Sequence, residues 1–197
     1  MLRFIETIRV ADGKAENLAG HQMRLNMTHA KFFPEAKRPL LINVIPQSLP
    51  MEVSKLRVVY RNDIEEVSIE PYTPREIRSL RLVECNDIDY EYKSTDRSML
   101  NAAFKMRNGA DDVLIVRRGL ITDTSIANVA FRNYDGVWFT PKRPLLKGTR
   151  LQRLIERGDV IPLPIMVKEL KNFSHISIFN ALIPFGSIVL PTDCIEE

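Results

Sequence analysis

Three kinds of side chain in this sequence can do chemistry at spacings that matter: a primary amine, a carboxylate in a turn, and arginines or hydroxyls placed to hold an anion. The amine is Lys93, in Tyr90-Glu91-Tyr92-Lys93-Ser94-Thr95-Asp96-Arg97. A lysine in such a stretch is ordinarily solvated. The carboxylate is Asp123, inside Gly119-Leu120-Ile121-Thr122-Asp123-Thr124-Ser125-Ile126-Ala127-Asn128-Val129, where its ordinary role is to make a turn or a cap. A phosphate taken partly out of water needs a cation and several donors, because its lone pairs must be satisfied. Arg24 in His21-Gln22-Met23-Arg24-Leu25 offers the cation, unless it is simply an exposed helix charge. Gly148-Thr149-Arg150 precedes a helical stretch, and a helix N-terminus supplies unpaired N–H groups and a favourable dipole. Asn180 in Phe179-Asn180-Ala181-Leu182-Ile183-Pro184 is a third candidate, or just the end of a strand. Thr7 in Glu6-Thr7-Ile8-Arg9 carries a hydroxyl. It can relay a proton only within about 2.6 to 3.2 Å of the reacting group, so its use requires the first strand to line the site.

The elements that must position these groups follow from periodicity and turn chemistry. Arg3 to Val10 alternates, and Asp12-Gly13 turns it into a hairpin. His21 to Phe33 places Met23, Met27 and Ala30 at helical spacing, with Pro34 as the stop. Leu40 to Ile45 adds a short helical or extended piece, and Leu56 to Tyr60 and Glu66 to Glu70 form a second hairpin around Arg61-Asn62-Asp63. A linker at Pro71 to Pro74 leads to a strand over Ser79 to Cys85. Residues 94–107 read as a helix capped by Thr95 or Asp96. Asp112 to Arg117, Ile126 to Asn133 and Val137 to Thr140 read as an antiparallel meander. A last helix over Thr149 to Arg157 stops at Gly158, and Ile161 to Lys168, Ile176 to Phe179 and Ser187 to Leu190 complete the strands. The class is α+β in two lobes, a small α+β lobe over residues 1–88 and a larger β-rich lobe with flanking helices over residues 89–197, which the family resemblance given below implies is barrel-like.

Composition narrows the function classes. The 197 residues carry 28 basic and 25 acidic side chains scattered along the chain, a net charge of +3, without the long basic run of a nucleic-acid arm. Cys85 and Cys194 lack the spacing of a zinc knuckle or a redox pair, so neither a metal nor a structural disulfide is expected. Charge within the first few residues excludes the apolar core of a signal peptide, and no apolar run reaches the ~18 residues of a membrane helix. A cytoplasmic protein with no membrane partner is expected.

The residues quoted at Lys93, together with Gly109-Ala110-Asp111-Asp112 and Gly119 to Val129, resemble the core signature of the fold-type IV pyridoxal 5′-phosphate (PLP) enzymes, also called class IV aminotransferases. The resemblance runs from about Phe4 to Ile188 and preserves the family's order of motifs. It implies that Lys93 forms the Schiff base with PLP. It also implies that Asp123, where relatives more often carry Glu, bonds the pyridine nitrogen. A carboxylate there keeps the nitrogen protonated, so the ring accepts electron density from a carbanion beside the imine. Arg24, Ser125, Asn128, Gly148, Thr149 and Asn180 fall at the family's other cofactor-binding positions. The usual apolar residue between the glycine and the threonine is missing from Gly148-Thr149.

Within the family the pattern is closest to the 4-amino-4-deoxychorismate lyases. Many aminotransferases carry Tyr five residues after the lysine, where Ser98 stands here. Asp96 and Arg97 after the lysine, Asn180 to Pro184, and above all Thr7, implicated in β-elimination, match the lyase form. The resemblance implies release of pyruvate from 4-amino-4-deoxychorismate to give 4-aminobenzoate for folate synthesis, with Lys93 and Thr7 as catalytic groups and Arg9 or Arg97 pairing with a substrate carboxylate. The alternatives are an amino-acid aminotransferase of the branched-chain or D-amino acid type, and a non-catalytic holder of PLP or another phosphate ligand. The last is suggested by a chain shorter than usual relatives, without their opening strand and loop before Phe4. A homodimer is expected, since in relatives a partner's loop completes the site.

Overall fold

The computed structural model describes residues 2–196, in two compact units: residues 2–74 with Tyr92–Asp96, and Arg75–Glu91 with residues 97–196. In the first unit, β1 (Phe4–Ala11) alternates strictly, with Phe4, Glu6, Ile8 and Val10 turned into the core. Asp12 and Gly13, at φ 50° and 67°, lead into β2 (Lys14–Ala15), two positive angles being what a tight hairpin demands. Helix α1 (Leu18–Phe32) follows, then one 3₁₀ turn at Leu41–Val44, β3 (Ser54–Tyr60) and β4 (Ile64–Pro71). The sheet is antiparallel in the order β2-β1-β3-β4. Its core gathers Phe4, Ile8, Val10, Leu25, Leu41, Leu56, Val58 and Tyr60, each large side chain contributing roughly 1.5 to 3 kcal/mol by leaving water.

The second unit contains β5 (Leu80–Glu84), α2 (Ser98–Lys105), β6 (Asp112–Arg117), β7 (Leu120–Thr124), β8 (Asn128–Asn133), β9 (Trp138–Pro141), α3 (Thr149–Glu156), β10 (Ile161–Leu163), β11 (Phe173–Phe179), β12 (Val189–Pro191) and β13 (Ile195–Glu196). They form two sheets, β13-β5-β6-β7 and β10-β9-β8-β11-β12. Leu80, Leu114 and Ile121 of one meet Val129, Phe131 and Ile176 of the other in a shared core. The mixed α and β composition is as expected. The barrel-like expectation is corrected: neither sheet closes on itself among the described residues.

Several local expectations also change. The expected meander is split, because β7 pairs with β6 while β8 pairs with β9 and β11 in the other sheet. The chain changes sheets at residues 125–127, where the Thr124 hydroxyl accepts the N–H of Ile126 (3.3 Å) and Ala127 (3.0 Å). The helix expected from residue 94 starts at Ser98, and Arg97 precedes it without any side-chain cap. Residues 93–95 are instead drawn against β1: Ile5 N–H donates to the Lys93 carbonyl and Thr95 N–H to the Arg3 carbonyl, both at 2.9 Å. The strand expected to Lys168 ends at Leu163, followed by Pro164, which has no N–H for a ladder. Residues 75–91 group with the second compact unit, where β5 runs parallel to β6.

Candidate active site

In the first unit, the segment carrying Lys93 is stitched to β1 through backbone bonds, and Lys93 itself is half-buried rather than fully solvated. Thr7 lies two residues beyond Ile5, the residue that holds the Lys93 carbonyl, and the alternation of β1 puts both on the face opposite the core. Arg9 shares that face, and its Nη1 is paired with Glu16. Its Nε is buried without a hydrogen-bond partner.

Arg24 is not the solvated helix charge that its sequence context allowed. Its guanidinium, 13% exposed, donates from Nε to Glu6 Oε1 at 2.9 Å and from Nη2 to Oε2 at 2.6 Å. His21 Nδ1 meets the same Oε2 at 2.6 Å. Burial alone would raise the Glu6 carboxyl, but the Arg24 charge and the His21 and Arg24 hydrogen bonds outweigh it and hold the group at about 2. Sequence reasoning missed Glu6. The signal was present, since a charge occupies one of the inward positions of an alternating strand whose other inward residues are Phe4, Ile8 and Val10. Burial and the neighbouring Glu6 charge push the Tyr60 hydroxyl well above its usual value.

In the second unit, the candidate residues fall into several hydrogen-bonded sets. Asp123 on β7 is buried, 5% exposed. Its Oδ1 accepts from Asn128 Nδ2 and its Oδ2 from the backbone N–H of Leu146, each at 2.9 Å. Asn128 Nδ2 also donates to the Leu146 carbonyl at 2.9 Å. Gly148 packs so closely on Asn128 that an added Cβ would lie 2.1 Å from its Oδ1, which no other residue could occupy unchanged. Thr149, buried, then opens α3. Arg150 donates from Nε to the Asn180 carbonyl (2.7 Å) and from Nη2 to that of Ala181 (3.0 Å). Asn180 gives Nδ2 to the Ile126 carbonyl at 3.1 Å and accepts from Leu182 and Ile183, so its side chain fastens the β7–β8 turn. Arg97 holds the same turn through the Ser125 carbonyl at 2.7 Å, its guanidinium lying over the Tyr90 ring.

The electrostatics of Asp123 differ from those of Glu6. Burial pushes its carboxyl up to about 7, and the neutral donors at Leu146 and Asn128 pull it only part of the way back. No basic side chain pairs with it among the described residues. A buried carboxylate with two neutral donors can stabilise a cation brought to it from outside the protein. The described residues contain no group of three His, Cys, Asp or Glu able to hold a metal ion, and no helix long and apolar enough to cross a membrane.

The family described as amino-transferase class IV matches residues 3–189. A protein of uncharacterised function from Haemophilus influenzae strain Rd is 30% identical over 186 residues, covering 92% of this chain and 98% of its own. A crystal structure from Haemophilus somnus 129pt, provisionally named a 4-amino-4-deoxychorismate lyase, is 30% identical with a TM-score of 0.87 and covers 93% of this chain and 97% of its own. The PLP-bound form of a hypothetical aminotransferase from Mycobacterium tuberculosis shares the fold at 19% identity and a TM-score of 0.73, over 93% of this chain and 78% of its own.

Proposed function

The chain belongs to the amino-transferase class IV family and is a PLP enzyme, and we propose that its reaction converts 4-amino-4-deoxychorismate to 4-aminobenzoate and pyruvate, a step of folate synthesis. The observation that carries the lyase reading is the placement of Thr7 on β1, two residues from the position that binds the Lys93 backbone and on the same strand face. The similarity to the Haemophilus somnus structure supports it.

The residues fit the cofactor. Asp123 is a buried carboxylate met only by neutral donors, a suitable counter-charge for a protonated pyridine nitrogen. When bound, PLP supplies an electron sink for the carbanion formed at the amine-bearing carbon of the substrate. Asp123 holds the proton on the ring nitrogen, and Asn128 and the Leu146 N–H keep its two oxygens in place. Toward a phosphate, Arg24 of the first unit would offer a guanidinium, and the N-terminus of α3 at Gly148 and Thr149 in the second unit would offer backbone N–H donors. Lys93 would hold the cofactor covalently, and its amine, when free, would be the base for the α-proton. The Thr7 hydroxyl orients the proton delivered as the pyruvyl ether leaves. Arg9 and Arg97 are assigned to the substrate carboxylates, and Ser125, Asn128 and Asn180 to shaping the β7–β8 turn around the ring. The reading includes a homodimer in the cytoplasm, testable by sedimentation.

Incubation with 4-amino-4-deoxychorismate should release 4-aminobenzoate and pyruvate in equal amounts, and Thr7→Val should slow release by about 10²-fold or more, the scale of a positioned proton-transfer group. Absence of product, with glutamate or alanine converting the cofactor to its amine form, would make the protein an aminotransferase instead.

A further inference from the structure

The pair formed by Glu6 and Arg24 costs more than a fold needs. Two charges are withdrawn from water between β1 and α1, where an apolar pair of similar volume would pack at less desolvation cost. Glu6 also opposes the function assigned to Arg24, because a carboxylate beside the guanidinium weakens its attraction for phosphate. What Glu6 supplies in exchange is direction. With Nε and Nη2 both bound to the carboxylate, the guanidinium plane is fixed by Glu6. His21, on the same helix three residues earlier, holds the second carboxylate oxygen and keeps Glu6 from turning. The neighbouring residue of β1, Ile5, holds the Lys93 carbonyl. Adjacent positions of one strand therefore register both the residue that receives the covalent bond and the arginine assigned to the phosphate.

We infer that Glu6 is a positioning residue for phosphate, acting through Arg24, so that it sets the preference of the protein for a phosphorylated aldehyde over the same aldehyde without phosphate. This rests on the PLP reading above. The test compares binding of PLP and of pyridoxal, each followed by its visible absorbance on the holoprotein reconstituted from the cofactor-free chain. The wild type should prefer PLP. Glu6→Gln should reduce that preference by about tenfold or more, the scale of one charge-assisted hydrogen bond, while leaving pyridoxal affinity nearly unchanged. Arg24→Lys, which keeps the charge and loses the fork, should reduce it similarly, and Glu6→Gln in the Arg24→Lys background should add little. A Glu6→Gln protein with undiminished or increased preference overturns the inference, as does a parallel loss of pyridoxal affinity, which would mean general collapse of the site. If Glu6→Gln does not fold, Glu6→Asp takes its place: the shorter side chain keeps the charge but withdraws the acceptors, and an unchanged preference again overturns the inference. A wild type that binds neither aldehyde overturns the PLP reading, and this inference with it. A wild type that prefers PLP beside an indifferent Glu6 variant overturns the inference alone.

Discussion

Glu6 and Asp123 are carboxylates taken out of water, one in each compact unit, and their surroundings treat them in opposite ways. Glu6 is met by a guanidinium and an imidazole and is held ionised at about 2. Asp123 is met by an amide and a backbone N–H and is pushed up to about 7. Equal burial therefore does not mean an equal role. The first carboxylate is satisfied by the chain itself, whereas the second has the donors to fix its position and no charge to balance it, which suits it to a cationic ring.

The contrast can be broken by experiment. Glu6→Ala should cost about 3 to 5 kcal/mol, the scale of removing one partner from a buried pair, read by urea unfolding at pH 7. A loss below about 1 kcal/mol would mean that Arg24 escapes to solvent without penalty. For Asp123 the sign is reversed with respect to pH. Between about pH 4 and pH 7 the folded cofactor-free chain keeps a proton that the unfolded chain has released, so its stability should fall as pH rises through that window, by up to about 4 kcal/mol for a shift from 3.8 to about 7. Asp123→Asn should abolish that fall, and saturating PLP should flatten it. Glu6 makes the opposite contribution: its stabilisation is complete above about pH 4.5 and is lost as pH falls towards 2, so acid unfolding of the Glu6→Gln protein should be shallower. On activity, Asp123→Asn should lower kcat/KM by about 10² to 10³, comparable to removing one preorganised electrostatic partner. The smallest effect is expected from Gly148→Ala. The new methyl must displace Asn128, and the loosened hydrogen bond to Asp123 should cost about 1 to 3 kcal/mol, visible as a lower melting temperature and weaker PLP binding.

Much of the candidate site was legible in the sequence because its motifs are local. The turn around Asp123, the glycine ahead of α3 and the Asn180 segment lie where short-range patterns put them; Asp123 and Asn128 share one set of hydrogen bonds, and Arg150, Asn180 and Ile126 another. Helix α1 was legible as a helix but not in its orientation. Met23 and Met27, whose spacing announced it, are 52% and 59% exposed, while His21, Leu25, Thr28 and His29 are buried. The helix turns polar groups inward because Glu6 is there to receive two of them, and that partner lies 15 and 18 residues away. The early start expected for α2 failed for a related reason. Thr95 and Asp96 suit a cap, but backbone bonds with Arg3 and Ile5 hold residues 93–95 against β1.

The order of chemical groups along the chain, an amine at 93, a carboxylate at 123 and a glycine before a helix at 148, was determined by the sequence, because turn chemistry and motif spacing act over a few residues. Which carboxylate would be paired with charged side chains and which would be met by neutral donors alone was decided only in three dimensions. Charge and hydrogen-bond partners come from whichever faces meet in the core, and at low dielectric that choice of neighbour moves a carboxyl from about 2 to about 7.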